Sequence, residues 1–134
     1  MGKEHTFYDY IDQAGANLIK GWLYSDGNLS RARFNFIINQ LEASPPPRFN
    51  GSVWSSPYVY SLADDWKGFL EVRAEVKKKE YRLIGQRQDR NILLITWGYH
   101  DGKGWHTDIT SGSAKTRVNQ MITNIGKYGR AHEI

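Results

Sequence analysis

Apolar and polar residues alternate over residues 69 to 76, in the segment FLEVRAEV. Leu70, Val72 and Ala74 share one side of this alternation, which is the pattern of a half-buried β-strand with one polar face. The alternation resumes over residues 80 to 86 after a short lysine-rich break. Such a break between two alternating segments predicts a hairpin, with the even-numbered side of its first strand facing the core.

A third strand is predicted over residues 92 to 97 by the nearly continuous apolar run ILLITW, which is typical of a central strand covered on both sides. If the hairpin turn holds two or four residues, Arg73 and Arg82 share a sheet face, because opposed residues lie on one face. A three-residue turn would separate them. The third strand ends at Tyr99 and His100, so we expect one or the other close to the arginines.

Helical spacing of apolar residues predicts two helices earlier in the chain, over residues 14 to 24 and 30 to 43, joined as a helical hairpin. Ser30 is the expected N-cap of the second helix. A weak alternation over residues 5 to 11 predicts a short first strand. Residues 43 to 67 are rich in Pro, Gly and Ser, and are predicted to form a wrapping loop.

The loop contains four large aromatic residues, and two interpretations of them stay open. They either stack on nucleic-acid bases or anchor the loop to the hydrophobic core. The four are Trp54, Tyr58, Tyr60 and Trp66.

The C-terminal segment predicts one more helix, capped by Ser111 or Ser113 and ended by Gly126. Its predicted buried stripe is Ala114, Val118, Met121, Ile122 and Ile125. Residues 127 to 134 are expected to be loose. The element order predicts an α+β fold: a small antiparallel sheet, formed by the short N-terminal strand and a three-stranded meander, with helices packed on one face.

Composition sets the class of protein. The chain has 134 residues, 40% of them hydrophobic, which predicts a single domain over residues 1 to 134. The absence of cysteine excludes disulfides and thiolate metal sites, and no spaced His or carboxylate motif points to a metal or other cofactor. No apolar run approaches the ~18 residues of a membrane span, and the polar start does not resemble a secretory signal, so a cytoplasmic location is expected.

The net charge of +4 is concentrated in one region. Residues 67 to 90 contain eight basic and four acidic residues, whereas the rest of the chain has ten of each. This pattern favours an anionic partner such as RNA, and it is equally typical of a solvated hairpin protected from edge pairing by lysines. The candidate RNA-binding cations are Lys77, Lys78, Lys79, Arg87, Lys103 and Lys115.

Three short motifs carry a resemblance to a known family: KGFLEVR at residues 67 to 73, EYRL at 80 to 83 and WGY at 97 to 99. Together they resemble the RelE/HigB superfamily of toxins, particularly its phage-derived branch. The resemblance covers residues 67 to 100 by motif and 5 to 126 by element order. It implies a RelE-like domain and a cytoplasmic toxin of a type II toxin–antitoxin system. Such toxins cleave mRNA, usually in the ribosomal A site, and are neutralised by a cognate antitoxin protein.

By the same resemblance, Arg73 and Arg82 match the basic sheet positions of the family. RNA cleavage without metal needs the 2′-hydroxyl to lose a proton, the phosphorane charge to be held and the leaving oxygen to be protonated. Arginines suit the second task. His100 or His106 suits the first or third, and Tyr99 either assists the proton transfer or stacks on a base.

Two further interpretations belong to different classes of function. Glu75 stands where the RelE toxins have a second sheet lysine, and the last helix lacks their tyrosine. These departures favour a catalytically silent protein of the same fold that binds RNA, the ribosome or a protein. They also favour a phage or mobile-element accessory protein whose sheet is only an interaction surface.

Overall fold

The computed structural model describes residues 5–25, 29–43, 58–76, 79–100, 105–107 and 109–133. The strands are β1 (Thr6–Tyr10), β2 (Val59–Ser61), β3 (Leu70–Val76), β4 (Lys79–Gln88), β5 (Asn91–His100), β6 (Trp105–Thr107) and β7 (Gly129–Ala131). The helices are α1 (Leu18–Leu23), α2 (Leu29–Ala43), α3 (Ser111–Thr123) and α4 (Ile125–Tyr128), with a 3-10 turn at Asp64–Trp66. None of these helices is long and apolar enough to cross a membrane.

Six strands lie side by side in the order β2-β3-β4-β5-β1-β7, and β6 pairs with the end of β5. The predicted meander of β3, β4 and β5 is antiparallel, and the predicted α+β class is confirmed. The prediction of a small, wholly antiparallel sheet is wrong, because β1 runs parallel to β5. The sheet is also larger than predicted. Pairings between strands so distant in the chain leave no trace in a local alternation pattern.

The sheet is covered on both faces, and each face has its own core. The core under α1 and α2 includes Phe7, Ile19, Leu23, Phe34, Ile38, Leu41, Val72, Leu83, Ile92 and Leu94. The core under α3 includes Tyr10, Phe69, Ile84, Leu93, Ile95, Ala114, Val118 and Met121. The predicted placement of the helical hairpin on one side is therefore right, while the expectation that all helices share a face is wrong.

A β-bulge interrupts the pairing of β4 with β5. Ile84 lies opposite Thr96, whereas the next residue, Gly85, lies opposite Leu94, so Ile95 is the extra residue. A side chain at position 85 would place its Cβ 2.5 Å from the Leu93 carbonyl oxygen, which explains the glycine. One extra residue reverses the alternation, so the two halves of β5 turn opposite sets of side chains to each face.

Several element ends differ from the predictions. Helix α1 begins at Leu18, after the N-cap Asn17, because Gly15 has a φ of 85° that no helix allows. Helix α2 already includes residue 30, so Ser30 is not the residue before it. Thr110 caps α3, its hydroxyl oxygen accepting from the Ser113 amide at 3.1 Å, in place of Ser111 or Ser113.

The C-terminal segment is ordered where a loose tail was predicted. Residues 125 to 128 form α4, which contains Gly126, and β7 then pairs with β1. Of the predicted stripe on α3, the first three residues are buried, whereas Ile122 and Ile125 are 54% and 40% exposed. Ile125 lies beyond the break of the helix at Asn124, so the helical phase of α3 is not continued to it.

Candidate functional site

Arg73 and Arg82 lie directly opposite each other across β3 and β4. The pairing closes at Val76 and Lys79, so the connection has two residues. This is one of the two turn lengths for which the arginines were predicted to share a face. Glu71 shares this side of the sheet with them. It lies two residues along the chain from Phe69 and directly opposite Ile84, and both of these residues belong to the core under α3. Two guanidinium groups therefore project together from one side of the meander.

A buried carboxylate holds the two arginines in place. The side chain of Glu71 is only 1% exposed. Arg73 Nε donates to Glu71 Oε1 at 2.6 Å, and Arg82 Nη1 donates to Glu71 Oε2 at 3.4 Å. Because a buried carboxylate is stable only when it is paired, Glu71 and the arginines form one unit.

A second carboxylate lies on the outer side of the arginines. Arg82 Nη2 and Nε donate to Glu80 Oε1 at 2.6 and 3.0 Å, and Arg73 Nη1 lies 3.5 Å from the same oxygen. The Glu80 side chain is 34% exposed, so this half of the cluster is open to solvent. Glu80 can therefore move away from the arginines far more easily than Glu71 can.

His100 belongs to this side of the sheet and Tyr99 does not. His100 lies opposite Glu80, while Tyr99 lies opposite Tyr81. Tyr81 packs against the core under α1 and α2, so Tyr99 is separated from the arginines by the sheet. The bulge at Ile95 is the reason, because unbroken alternation from Leu94 would have given the reverse placement. The arginine face is hereafter the set Arg73, Arg82, Glu71, Glu80 and His100.

The remaining predicted cations do not gather around the arginine face. Lys79 is exposed and its Nζ lies 5.3 Å from the Tyr99 ring centre, on the opposite side of the sheet. Arg87 is exposed near the far end of β4, about 26 Å along the strand from Lys79. Lys115 is exposed on α3.

The remaining predicted positions are three lysines and His106. Lys77, Lys78 and Lys103 lie outside the described residues. The backbone of His106 pairs with Tyr99, within β6.

The loop aromatics that the structure describes serve mostly to anchor the chain. Tyr58 packs against the core under α1 and α2, and Trp66 packs against the core under α3. Tyr60 is different, because the Arg73 guanidinium carbon lies 3.6 Å from its ring centre. Trp54 falls outside the described residues.

A cleft of about 160 Å³ adjoins the arginine face. It is lined by Leu62, Ala63, Trp66 and Ile84, together with Glu71 and Arg82. The cleft joins an apolar wall to the ion pair of Arg82 and Glu71.

The sequence pattern did not predict a polar cluster that lies on the other side of the sheet. His132 Nδ1 lies 2.7 Å from Asp9 Oδ1, and its Nε2 lies 2.8 Å from Asn35 Oδ1. Asn17 Nδ2 donates to Asp9 Oδ2 at 3.0 Å. The four residues come from β1, the N-cap of α1, α2 and the segment after β7. No spacing links them, and His132 fell in the tail that was predicted to be loose.

The chemistry of this cluster follows from its donors and acceptors. An ionised Asp9 can only accept, so His132 carries a proton on Nδ1. Its Nε2 then either donates to Asn35 as part of an imidazolium or accepts from a turned Asn35 amide. Both Asp9 and His132 are almost fully buried, at 2% and 6% exposure.

Among the described residues, no group of three or more His, Cys, Asp or Glu is arranged to hold a metal ion. Comparison with protein-family models, with curated proteins and with solved structures finds no match for this chain.

Proposed function

We propose that the protein binds RNA on the arginine face and cleaves it as a metal-independent endoribonuclease of the toxin type. The observation that supports this most is the opposed pair Arg73 and Arg82, both held by the buried Glu71. A guanidinium pair fixed in this way meets the requirement for charge stabilisation that is organised before the reaction begins.

In this proposal the arginines stabilise charge and His100 transfers the proton. Arg73 and Arg82 hold the negative charge that develops on the phosphorus oxygens. His100 lies diagonally across from Arg82, whose direct partner is Gly98. The Cα atoms of such diagonal neighbours are typically about 7 Å apart. At that separation His100 can take the proton of the 2′-hydroxyl as its oxygen attacks phosphorus, and give it to the 5′-oxygen as the bond between phosphorus and that oxygen breaks.

Glu80 has a defined part in this proposal. Its carboxylate occupies the solvent side of both guanidinium groups, where an incoming phosphate would bind. The phosphate must displace Glu80, while the buried Glu71 keeps the arginines in position. RNA binding is therefore weakened by the native Glu80 and strengthened when its charge is removed.

The second candidate function is that of a catalytically silent protein of the same fold that binds RNA or a protein. The pairing of both arginines with Glu71 and Glu80 favours it, because it cancels their charge. Glu75 adds a further negative charge, since it lies opposite Glu80 on the same side. The two candidates share the binding surface and differ in whether a phosphate is turned over there.

The wider setting follows from the RelE/HigB resemblance of the motifs. As a toxin, the protein would act on mRNA, in the ribosomal A site as its resemblance implies, within the cytoplasm. A cognate antitoxin protein would cover the arginine face and keep the protein inactive.

RNA binding is tested by fluorescence anisotropy with a short single-stranded RNA at fixed salt. We expect Arg82→Ala to weaken binding by about tenfold, because one charge-assisted contact is lost, and Glu80→Gln to strengthen it. Arg82→Lys keeps the positive charge, so it tests whether a loss of binding in Arg82→Ala comes from misfolding. Lys127→Ala, an exposed change on α4, is the matched control. If Glu80→Gln leaves binding unchanged or weakens it, the displacement argument fails.

Cleavage is tested by expressing the protein in bacteria and measuring growth and mRNA length. Arrest with shortened mRNA, relieved by Arg82→Ala and retained by Lys127→Ala, supports the endoribonuclease. Normal growth with RNA binding that depends on Arg82 supports the silent binder. Arrest that survives Arg73→Ala combined with Arg82→Ala contradicts the assignment of the arginine face.

A further inference from the structure

A cavity with three cations at its rim lies on the opposite side of the sheet from the arginine face. Its volume is about 370 Å³, within the usual range for small-molecule sites. It is bounded by α1, α2 and the segment that contains β7. Its position separates it from β3 and β4, so the inference below does not depend on the proposed ribonuclease.

Three cations line this cavity: Lys20, Arg31 and Arg130. Within the part of the chain that the structure describes, none of them forms an ion pair with a carboxylate. Arg31 instead covers the ring of Tyr24, its guanidinium carbon 4.2 Å from the ring centre, and Lys20 Nζ lies 5.9 Å from the same centre. The ring orders two long side chains at the rim, which lowers the entropy cost of binding an anion.

Two carboxylates also line the cavity, and among the described residues neither forms an ion pair with the three cations. Asp9 lies opposite Arg130 in the ladder, yet its two oxygens are engaged by His132 and Asn17. Glu133 is exposed at the rim. The Arg130 guanidinium is thereby left available to a ligand, although a carboxylate lies directly across from it.

Hydrogen bonds among Asp9, Asn17, Asn35 and His132 connect the elements that form the cavity floor. Asn17 also caps α1, its Oδ1 accepting from the Lys20 amide at 2.9 Å. The His132 amide donates to the Phe7 carbonyl oxygen at 2.8 Å, which fixes the segment that contains Arg130. Each of the three cations therefore belongs to an element that is tied to the floor or to the sheet, so the rim is organised before a ligand arrives.

We propose that this cavity binds a small molecule with a phosphate monoester group, which Lys20, Arg31 and Arg130 contact. Arginine suits the group because its planar donors match phosphate oxygens in pairs. A single phosphate would fill only part of a 370 Å³ cavity, so the site has room for an attached group beside Tyr24.

The test is a titration of the ¹⁵N-labelled full chain, followed by amide chemical shifts at constant ionic strength. The probes are inorganic phosphate, AMP and adenosine, the last as the comparator without a phosphate. We expect phosphate and AMP to give saturable shifts at Arg31, Asn35 and Arg130, and adenosine to give none. A tighter AMP complex would show that the attached group also lies in the cavity, and equal affinities would confine the contact to phosphate.

Arg31→Gln and Arg130→Gln should each weaken AMP binding by about tenfold. The matched control is Arg33→Gln, an exposed change on the same helix that does not line this cavity, and it should leave binding unchanged. The proposal is overturned if phosphate and AMP give no saturable shift. It is also overturned if adenosine binds as tightly as AMP, or if the doubly substituted Arg31→Gln, Arg130→Gln protein binds AMP as the native chain does.

Discussion

Gly85→Ala places a methyl carbon against the main chain of β5 at the bulge. The new Cβ would lie 2.5 Å from the Leu93 carbonyl oxygen, 0.9 Å inside the 3.4 Å at which ordinary contact begins. The Leu93 carbonyl carbon and Leu94 Cα are also close, at 3.1 and 3.3 Å. All three obstacles are backbone atoms of the central strand, so no side-chain rotation can relieve the overlap.

The magnitude follows from two opposing effects. Overpacking against a rigid backbone costs about 2 to 3 kcal/mol, and the smaller entropy of the unfolded chain with alanine returns about 0.5 to 1 kcal/mol. We therefore expect Gly85→Ala to lower the free energy of unfolding by about 2 kcal/mol. Gly21→Ala is the matched control, because position 21 lies within α1 with no atom within 4 Å of a new Cβ, and it should raise stability by about 0.5 to 1 kcal/mol.

The assay is urea unfolding of the two variants and the native chain, with equal m-values as the check on two-state behaviour. Near-UV circular dichroism adds a test of the register, since Trp97 on β5 stacks on Trp22 at a ring separation of 5.7 Å. If the chain relieved the overlap by losing the bulge, Trp97 would leave that face and the aromatic signal would change. A Gly85→Ala protein as stable as the native chain would refute the argument from close backbone approach.

Two further changes test interactions on the side of the sheet that α3 covers. Glu71→Gln should lower the free energy of unfolding by about 1 to 3 kcal/mol, because two partly buried guanidinium groups lose a charged acceptor. The exposed Glu75→Gln should change it by less than about 0.5 kcal/mol, and equal effects in urea unfolding would contradict the anchoring role of Glu71. Burial raises the pKa of Tyr10. Nearby Arg117 lowers this pKa, whereas Asp12 and Tyr128 raise it, and the net shift is upward. The folded chain therefore holds the Tyr10 proton more tightly than the unfolded chain, so stability falls as the pH rises above about 10. Tyr10→Phe should flatten that loss in urea unfolding followed across alkaline pH, and should cost about 1 kcal/mol at neutral pH through the lost hydrogen bond to Gln120. An unchanged alkaline slope would show that Tyr10 does not contribute to it.

The local pattern of the sequence was enough to predict the elements whose stability comes from their own hydrophobic face. The alternation over residues 69 to 76 placed Val72 and Ala74 in the core. The helical stripe of α2 is buried, and the continuous apolar run in β5 lies between two cores. In each case the periodicity of burial is that of the element itself, so neighbouring residues along the chain carry the information.

Tertiary structure decided how these elements meet and which side chains share a site. The sequence predicted that Arg73 and Arg82 share a sheet face if the turn holds two or four residues, and the structure places them directly opposite each other. The bulge at Ile95 determined that His100 joins them and Tyr99 does not. His132 contacts Asp9 and Asn35 because β7 pairs with β1 beside α2. Bulges and contacts between distant strands depend on backbone packing across the whole sheet, and that packing has no counterpart in the spacing of residues along the chain.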